Sequence, residues 1–208
     1  MVQNCSIRPA GRFLTIDGPP LGEINRLAII GSGGAGKSTL ALELAKLLGL
    51  PIIHIDQWLW KPGWVPASDD DRDNLLREVG TRRRWIVDGD HLQTQPSRFP
   101  FADTIIYLDY SRYRCLSRAL RRYLTTRNRV KSGAPSGCNE RFKLGHFKWI
   151  FSYPTSHRPQ VLRNLQQFAG HCRLLTFKNP SQLDRFVGEL RAAQRKHPSR
   201  LAAQRIGG

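Results

Sequence analysis

Eight residues, Gly31-Ser32-Gly33-Gly34-Ala35-Gly36-Lys37-Ser38, carry the clearest chemistry in the chain, because they match G-x-x-x-x-G-K-[ST] at every fixed position. Glycines give the backbone freedom to turn successive N–H groups inward around a phosphate. Lys37 is placed to reach the terminal phosphates of a nucleoside triphosphate, and the Ser38 hydroxyl to take a position on Mg²⁺. Thr39 completes the set of nucleotide-contacting positions. The cofactors that this chemistry calls for are ATP and Mg²⁺.

Such a loop works only between a buried strand and a helix whose N-terminal partial charge faces the phosphate. Leu27 to Ile30 reads as that strand, and Leu40, Leu44, Leu47 and Leu48 fall on one face of a helix that Gly49 ends. Further strands are expected at Pro51–Ile55, Trp85–Val87, Thr104–Leu108 and Arg173–Phe177. Between them, Ser68 with Asp71 forms a capping box, and helices are expected over 111–124, 140–152 and 158–168. Ser181 with Asp184 is expected to cap the last helix. Strands alternating with helices give an α/β three-layer sandwich, a five-stranded parallel sheet covered on both faces. Residues 1–24 read as an extension, either disordered or adding an edge strand at Phe13–Ile16. Residues 25–190 form the domain, with a helical lid over about 125–158, and 191–208 a basic tail.

Ligands of an open parallel sheet bind at the carboxyl ends of its strands. Asp56, after the second strand, could accept a proton from an acceptor hydroxyl or orient it; its alternative is a helix or turn cap. Asp88, after the third, could hold a metal-bound water. Asp109 reads as a cap, and His54 as a satisfied strand histidine. Trp58, Trp60 and Trp64 could stack on a base or sugar, or form a hydrophobic lid contact. Cys138 and His146 fall short of the four ligands a structural zinc needs, and Cys115 and Cys172 read as small core residues.

The charge balance of +17 points to an anionic partner. It is concentrated: residues 111–148 hold eleven Lys or Arg and one acid, and residues 191–208 hold five and none. Arg118, Arg121 and Arg122 share a helix face, and Arg127, Arg129, Lys131 and Arg141 follow in a Gly- and Ser-rich segment suited to close over a nucleotide. No apolar run approaches the roughly 18 residues of a membrane span, and the N-terminus has no signal-peptide pattern, so a cytoplasmic protein is expected. A nucleic-acid partner is not favoured, for no recognised module or aromatic platform is present.

These pieces together resemble the adenylate-kinase-like P-loop kinases, whose sandwich is that of the nucleoside-monophosphate kinases. The closest likeness is to the branch labelled DNA topology modulation proteins (FlaR-related). It rests on the loop, on His54-Ile55-Asp56 with Trp58 and Pro62-Gly63-Trp64, on Trp85 to Gly89, on Ile106 to Asp109, and on Cys115-Leu116 with Arg118 and Arg122. Gly137-Cys138, Glu140-Arg141, Lys148-Trp149-Ile150 and Tyr153-Pro154 extend it. The resemblance implies Arg118 against the adenine, Arg122 and Arg141 near phosphates, and Asp88-Gly89 near Mg²⁺. Asp90-His91 stand where adenylate kinases carry proline and arginine, so the acceptor stays open between a nucleoside monophosphate, a nucleoside and another metabolite. The implied activity is transfer of the γ-phosphoryl group of Mg·ATP to a small-molecule acceptor, with Lys37, Asp56, Arg122 and Arg141 as catalytic residues. The alternative is an ATP-regulated nucleic-acid-binding protein.

Overall fold

A computed structural model describes residues 14–16, 24–126, 144–168 and 172–196. In chain order its first half contains β1 (Leu14–Ile16), β2 (Arg26–Gly31), α1 (Lys37–Leu48), β3 (Ile52–His54), α2 (Ile55–Leu59), the two short strands β4 (Trp60–Lys61) and β5 (Val65–Pro66), and α3 (Asp69–Thr81). The second half adds β6 (Trp85–Asp88), α4 (Gln95–Arg98), β7 (Thr104–Leu108), α5 (Arg112–Thr126), α6 (Leu144–Ser156), α7 (Arg158–Phe168), β8 (Arg173–Phe177) and α8 (Pro180–Lys196).

The main sheet has the order β1-β8-β7-β2-β6-β3. The five strands from β8 to β3 run parallel, as the alternation of strands and helices requires, and β1 adds an antiparallel edge beside β8. The edge strand expected at Phe13–Ile16 is thus present over Leu14–Ile16, and Phe13 lies outside the described residues. β2 is central, with β6 on one side and β7 on the other. Chain order reverses across β2, which puts the phosphate loop at the topological switch point.

Period-two alternation along β2 decides which layer each residue enters. Leu27 and Ile29 pack with Leu40 and Leu44 of α1, Phe186 of α8, and Cys115 and Ile150 of α5 and α6. Ala28 and Ile30 face the other way, onto Leu75 and Val79 of α3 and Val161 and Leu165 of α7. Leu27, Ile29, Ile30 and Leu44 are wholly buried, each worth roughly 1.5–3 kcal/mol of transfer free energy. Gly49 ends α1 in the left-handed region at φ 63, donating its N–H to Ala45 O.

Two local expectations come out differently. The capping box at Ser68 and Asp71 forms, with Asp71 N donating to Ser68 Oγ and Ser68 N to Asp71 Oδ2. At α8, however, Asn179 rather than Ser181 takes the cap: its Oδ1 accepts from Gln182 N at 3.0 Å, and Pro180 fills the first helical position. Asp109 does not cap α5 either; Ser111 Oγ accepts from Arg114 N. The hairpin β4–β5 was not expected. It turns through Gly63 at φ 79 and Trp64 at φ 67, and Lys61 ties it to Asp71 at 3.1 Å. No helix among the described residues is long and apolar enough to cross a membrane.

Candidate functional site

The loop from Gly31 to Ser38 lies between β2 and α1, at the carboxyl edge of the sheet. Gly36 occupies the N-cap position of α1 at φ 99, and no side chain caps that end. The first N–H groups of a twelve-residue helix are thus left for an anion. Lys37 Nζ donates to Gly31 O at 2.7 Å and Ser32 O at 3.1 Å, so the ammonium lies folded back over the loop it serves. Ser32 and Ala35 are buried, whereas Gly33, Gly34, Gly36, Lys37 and Ser38 are half-buried. Thr39 is exposed and lines a groove of about 530 Å³ with Leu42, Glu43, Lys46, Leu47 and Arg191, on the outer side of α1.

Gly34 shows why the loop tolerates no other residue there. Its φ is 77, and a Cβ at that position would stand 2.2 Å from the carbonyl oxygen of Cys115 in α5. Alanine would have to push a helix backbone away. Gly34→Ala is therefore expected to weaken Mg·ATP binding at least about tenfold, the measure of roughly 1–3 kcal/mol of local strain. The control is Gly49→Ala, also at positive φ but with no atom within 4 Å of the added carbon. Equal nucleotide affinity in the two variants, measured by calorimetric titration, would show that the α5 contact does not shape the loop.

Asp88 faces the loop from the end of β6. The parallel register sets it beside His54 of β3 on one side and Ile29 of β2 on the other. His54 Nδ1 and Asp88 Oδ2 are 3.0 Å apart, while Asp88 Oδ1 is buried with no partner among the described residues. Burial pushes the Asp88 carboxyl up, but the His54 hydrogen bond, the charge of Lys37 and the Ser38 hydroxyl together hold it below the usual carboxylate range. An ionised, half-satisfied carboxylate next to a serine hydroxyl is a donor set that suits Mg²⁺, which takes oxygen ligands and keeps several waters. No cluster of three or more His, Cys, Asp or Glu able to hold a metal exists among the described residues. The fit is to an ion that also draws ligands from a phosphate.

At the ends of β3 and β6 stand the residues expected to serve an acceptor. Asp56 lies in the first turn of α2 and is half-buried. His91 senses the charges of Arg98, Arg72, Asp56 and Asp90. Burial, then the two arginines, draw the His91 imidazolium below its ordinary value against the two carboxylates. Arg98 is 1% exposed, donates to Gly89 O at 2.8 Å, and is pulled down to about 10 by burial despite Asp90 and Asp88. Trp58 and Trp60 pack onto the core layer beneath, and Trp64 meets Trp60 edge-to-face at 6.0 Å.

Asp90 is the hub that sequence reasoning missed. Its Oδ1 accepts from Gln95 Nε2 at 2.6 Å and its Oδ2 from the Tyr153 hydroxyl at 2.5 Å. Gln95 Oε1 accepts from Asn164, Asn164 Oδ1 from Gln160, and Gln160 Oε1 from Arg163. Next to it Arg158 grips Asp109 with two hydrogen bonds of 2.9 and 2.8 Å, and Tyr107 donates to the same carboxylate. Asp109 is thus an ion-pair partner for α7. The available signal was the i, i+3, i+4, i+7 spacing of His146, Trp149, Ile150 and Tyr153 on α6, which makes one face of that helix point at the site.

Of the basic residues, Arg118 comes to the loop: its guanidinium nitrogen would lie 3.0 Å from a Cβ at Gly36. Arg122 sits one turn further along α5 and is half-buried, and Arg121 is exposed. Arg141, with Arg127, Arg129 and Lys131, lies outside the described residues. Cys115 and Cys172 are buried free thiols, as core residues should be.

The sheet order and the loop define a P-loop α/β domain. No family model and no curated protein matches the chain. Among solved structures it is similar to a gluconokinase from Sinorhizobium meliloti 1021, at 18% identity over 88% of this chain and 98% of that one, with a TM-score of 0.46. It is also similar to a shikimate kinase from Acinetobacter baumannii in complex with shikimate, at 16% identity over 87% and 94%, TM-score 0.45. A third is deoxyadenosine kinase from M. mycoides with bound dCTP, at 15% over 80% and 98%, TM-score 0.42.

Proposed function

We propose that the chain is a Mg²⁺-dependent phosphotransferase that moves the γ-phosphoryl group of ATP to a hydroxyl of a small-molecule acceptor. One observation carries this reading: an uncapped helix N-terminus with Lys37 faces a buried carboxylate, Asp88, that keeps one oxygen unpartnered beside Ser38. That is a cradle for a triphosphate and its metal, with a second acid, Asp56, one strand away. Mg²⁺, when bound, supplies charge neutralisation between the phosphates, with Ser38 and the Asp88 carboxylate on its protein side. Affiliation with the topology modulation branch of the adenylate-kinase-like kinases rests on the residue resemblance.

In the reaction the bond from the γ-phosphorus to the bridging oxygen breaks as the acceptor oxygen bonds to phosphorus in line, and ADP leaves. The acceptor proton passes to Asp56. Charge spreads over the transferred group, and Lys37, the helix N-terminus, Arg122 and Arg141 stabilise it. Arg118, whose guanidinium stands beside Gly36, would lie against the adenine. A lid over about 125–158 would exclude water.

The test is ADP release from Mg·ATP against a panel of hydroxylated acceptors, with mass analysis of the product. No acceptor-dependent ADP and no phosphorylated product would overturn the assignment. Asp56→Asn separates the two halves of the site: acceptor turnover is expected to fall about a hundredfold, with Mg·ATP affinity within threefold of the parent. Undiminished acceptor kinetics would make Asp56 a helix-turn residue only.

A further inference from the structure

Helix α6 touches both the phosphate loop and the turn after β6. At its first turn, a Cβ on Gly33 of the phosphate loop would stand 2.9 and 3.1 Å from the His146 ring and 3.1 Å from Ile150. One turn on, Trp149 stacks on His146 with ring centres 5.8 Å apart and planes within 19°. Trp149 then meets Tyr153 edge-to-face at 5.4 Å and donates its indole N–H to His157 Nε2 at 2.8 Å. Tyr153, 3% exposed, completes the run by donating to Asp90. One helical face therefore links the phosphate loop to the turn that carries Asp88.

The chemistry at the Asp90 end is one-directional. Arg163 can only donate and both Asp90 oxygens accept, so the amides of Gln160, Asn164 and Gln95 are each oriented by their neighbours. Asp90 thus takes one donor from the α4–α7 side and one from α6, with one on each carboxylate oxygen. An amide at position 90 could accept only one of them, since its nitrogen would face the other donor. This is a physical reason for an acid where the metal-bearing turn is complete without one.

We propose that Asp90 and Tyr153 are positioning residues of the phosphotransfer site, with α6 as a strap that fixes the Asp88-Gly89 turn relative to the phosphate loop. The proposal rests on the phosphotransferase reading for its kinetic consequence but not for its structural one. Neither residue needs to touch the substrate. Tyr153 acts through Asp90, and Asp90 acts through the backbone of the turn, where Gly89 O is held in addition by Arg98.

The experiment uses the full chain and four forms: parent, Tyr153→Phe, Asp90→Asn and the double variant. Tyr153→Phe keeps the ring against Trp149 and His157 and removes only the hydroxyl. Each single variant is expected to lower kcat about tenfold, with the KM for ATP within twofold, and the double variant to be no worse than the weaker single one. Additive losses, or losses carried by KM for ATP, would overturn the strap. A merely structural role would lower the melting temperature without that split. The second readout needs no turnover: tryptophan emission is recorded as Mg·ATP is added, with Trp149→Phe as the blank. A Trp149-dependent change in the parent that is reduced in Tyr153→Phe supports the strap even if every acceptor fails and the phosphotransferase reading falls. Nucleotide binding with no Trp149-dependent change, or with the same change in Tyr153→Phe, overturns it.

Discussion

Lys37→Ala is expected to leave the chain folded and to reduce acceptor-dependent ADP formation about a thousandfold. The side chain is half-buried, and its two hydrogen bonds go to carbonyls of its own loop, Gly31 and Ser32. Water can replace the ammonium there, so the folding free energy should change by no more than about 1 kcal/mol. A triphosphate in the loop would draw the ammonium off those carbonyls onto phosphate oxygens, where its charge counts most as the γ-phosphoryl group departs. Lys37→Arg should not restore the rate. A planar fork needs more room than a compact ammonium, and the loop is hemmed in by Cys115 and Arg118 of α5. Thermal melts and ADP release on the same preparations decide the matter. A folded Lys37→Ala chain with parental turnover would remove the loop from the chemistry.

Asp88→Asn carries the second large effect, a loss of turnover of about a hundredfold together with a raised Mg²⁺ requirement. The substitution keeps the shape of the side chain and an oxygen for His54, and it deletes the charge. The parent carboxylate is held ionised by His54, Lys37 and Ser38, and its Oδ1 has no protein partner among the described residues. With an amide, that oxygen no longer attracts a divalent ion, so the Mg²⁺ concentration for half-maximal rate should rise about tenfold or more. His54→Ala is the comparison: it frees Asp88 Oδ2 without removing the charge, and its Mg²⁺ requirement should change far less. If Asp88→Asn and the parent share one Mg²⁺ titration curve, Asp88 does not contribute to a metal site.

Much of the fold could be read from local pattern. The five parallel strands are short, apolar and bounded by turns, and the phosphate loop is a contiguous motif whose neighbours confirm its context. Ser68 and Asp71 are three residues apart, so their mutual caps are a local matter. What stayed hidden depends on partners far along the chain. Tyr153 reaches Asp90 across 63 residues, Asn164 reaches Gln95 across 69, and Arg158 reaches Asp109 across 49. No spacing rule spans such distances, which is why Asp109 read as a cap and Asp90 only as a departure from pattern. The short pieces failed for another reason. The β4–β5 hairpin has two residues in each strand and is decided by two successive left-handed residues and the Lys61–Asp71 pair. Pro62-Gly63 was a turn signal in plain view, but propensity says little about so short a segment. At α8, Pro180 was the better marker of the start than Ser181, since proline suits the first helical position.

The strand order also constrains assembly in time. Of the parallel strands, β2 and β3 are made first, yet they are not neighbours; β6 must be inserted between them before either finds that partner. β7 then adds to the other side of β2, and β8 adds to β7. β1 precedes them all but pairs only with β8, through Leu14 opposite Thr176. Among the described strands of this sheet, the earliest made thus pairs only with the latest. Until β8 is made, β1 has no template, and until β1 docks, the flank of β8 remains an unsatisfied edge. The phosphate loop, by contrast, follows β2, whose two neighbours β6 and β7 are both made before β8.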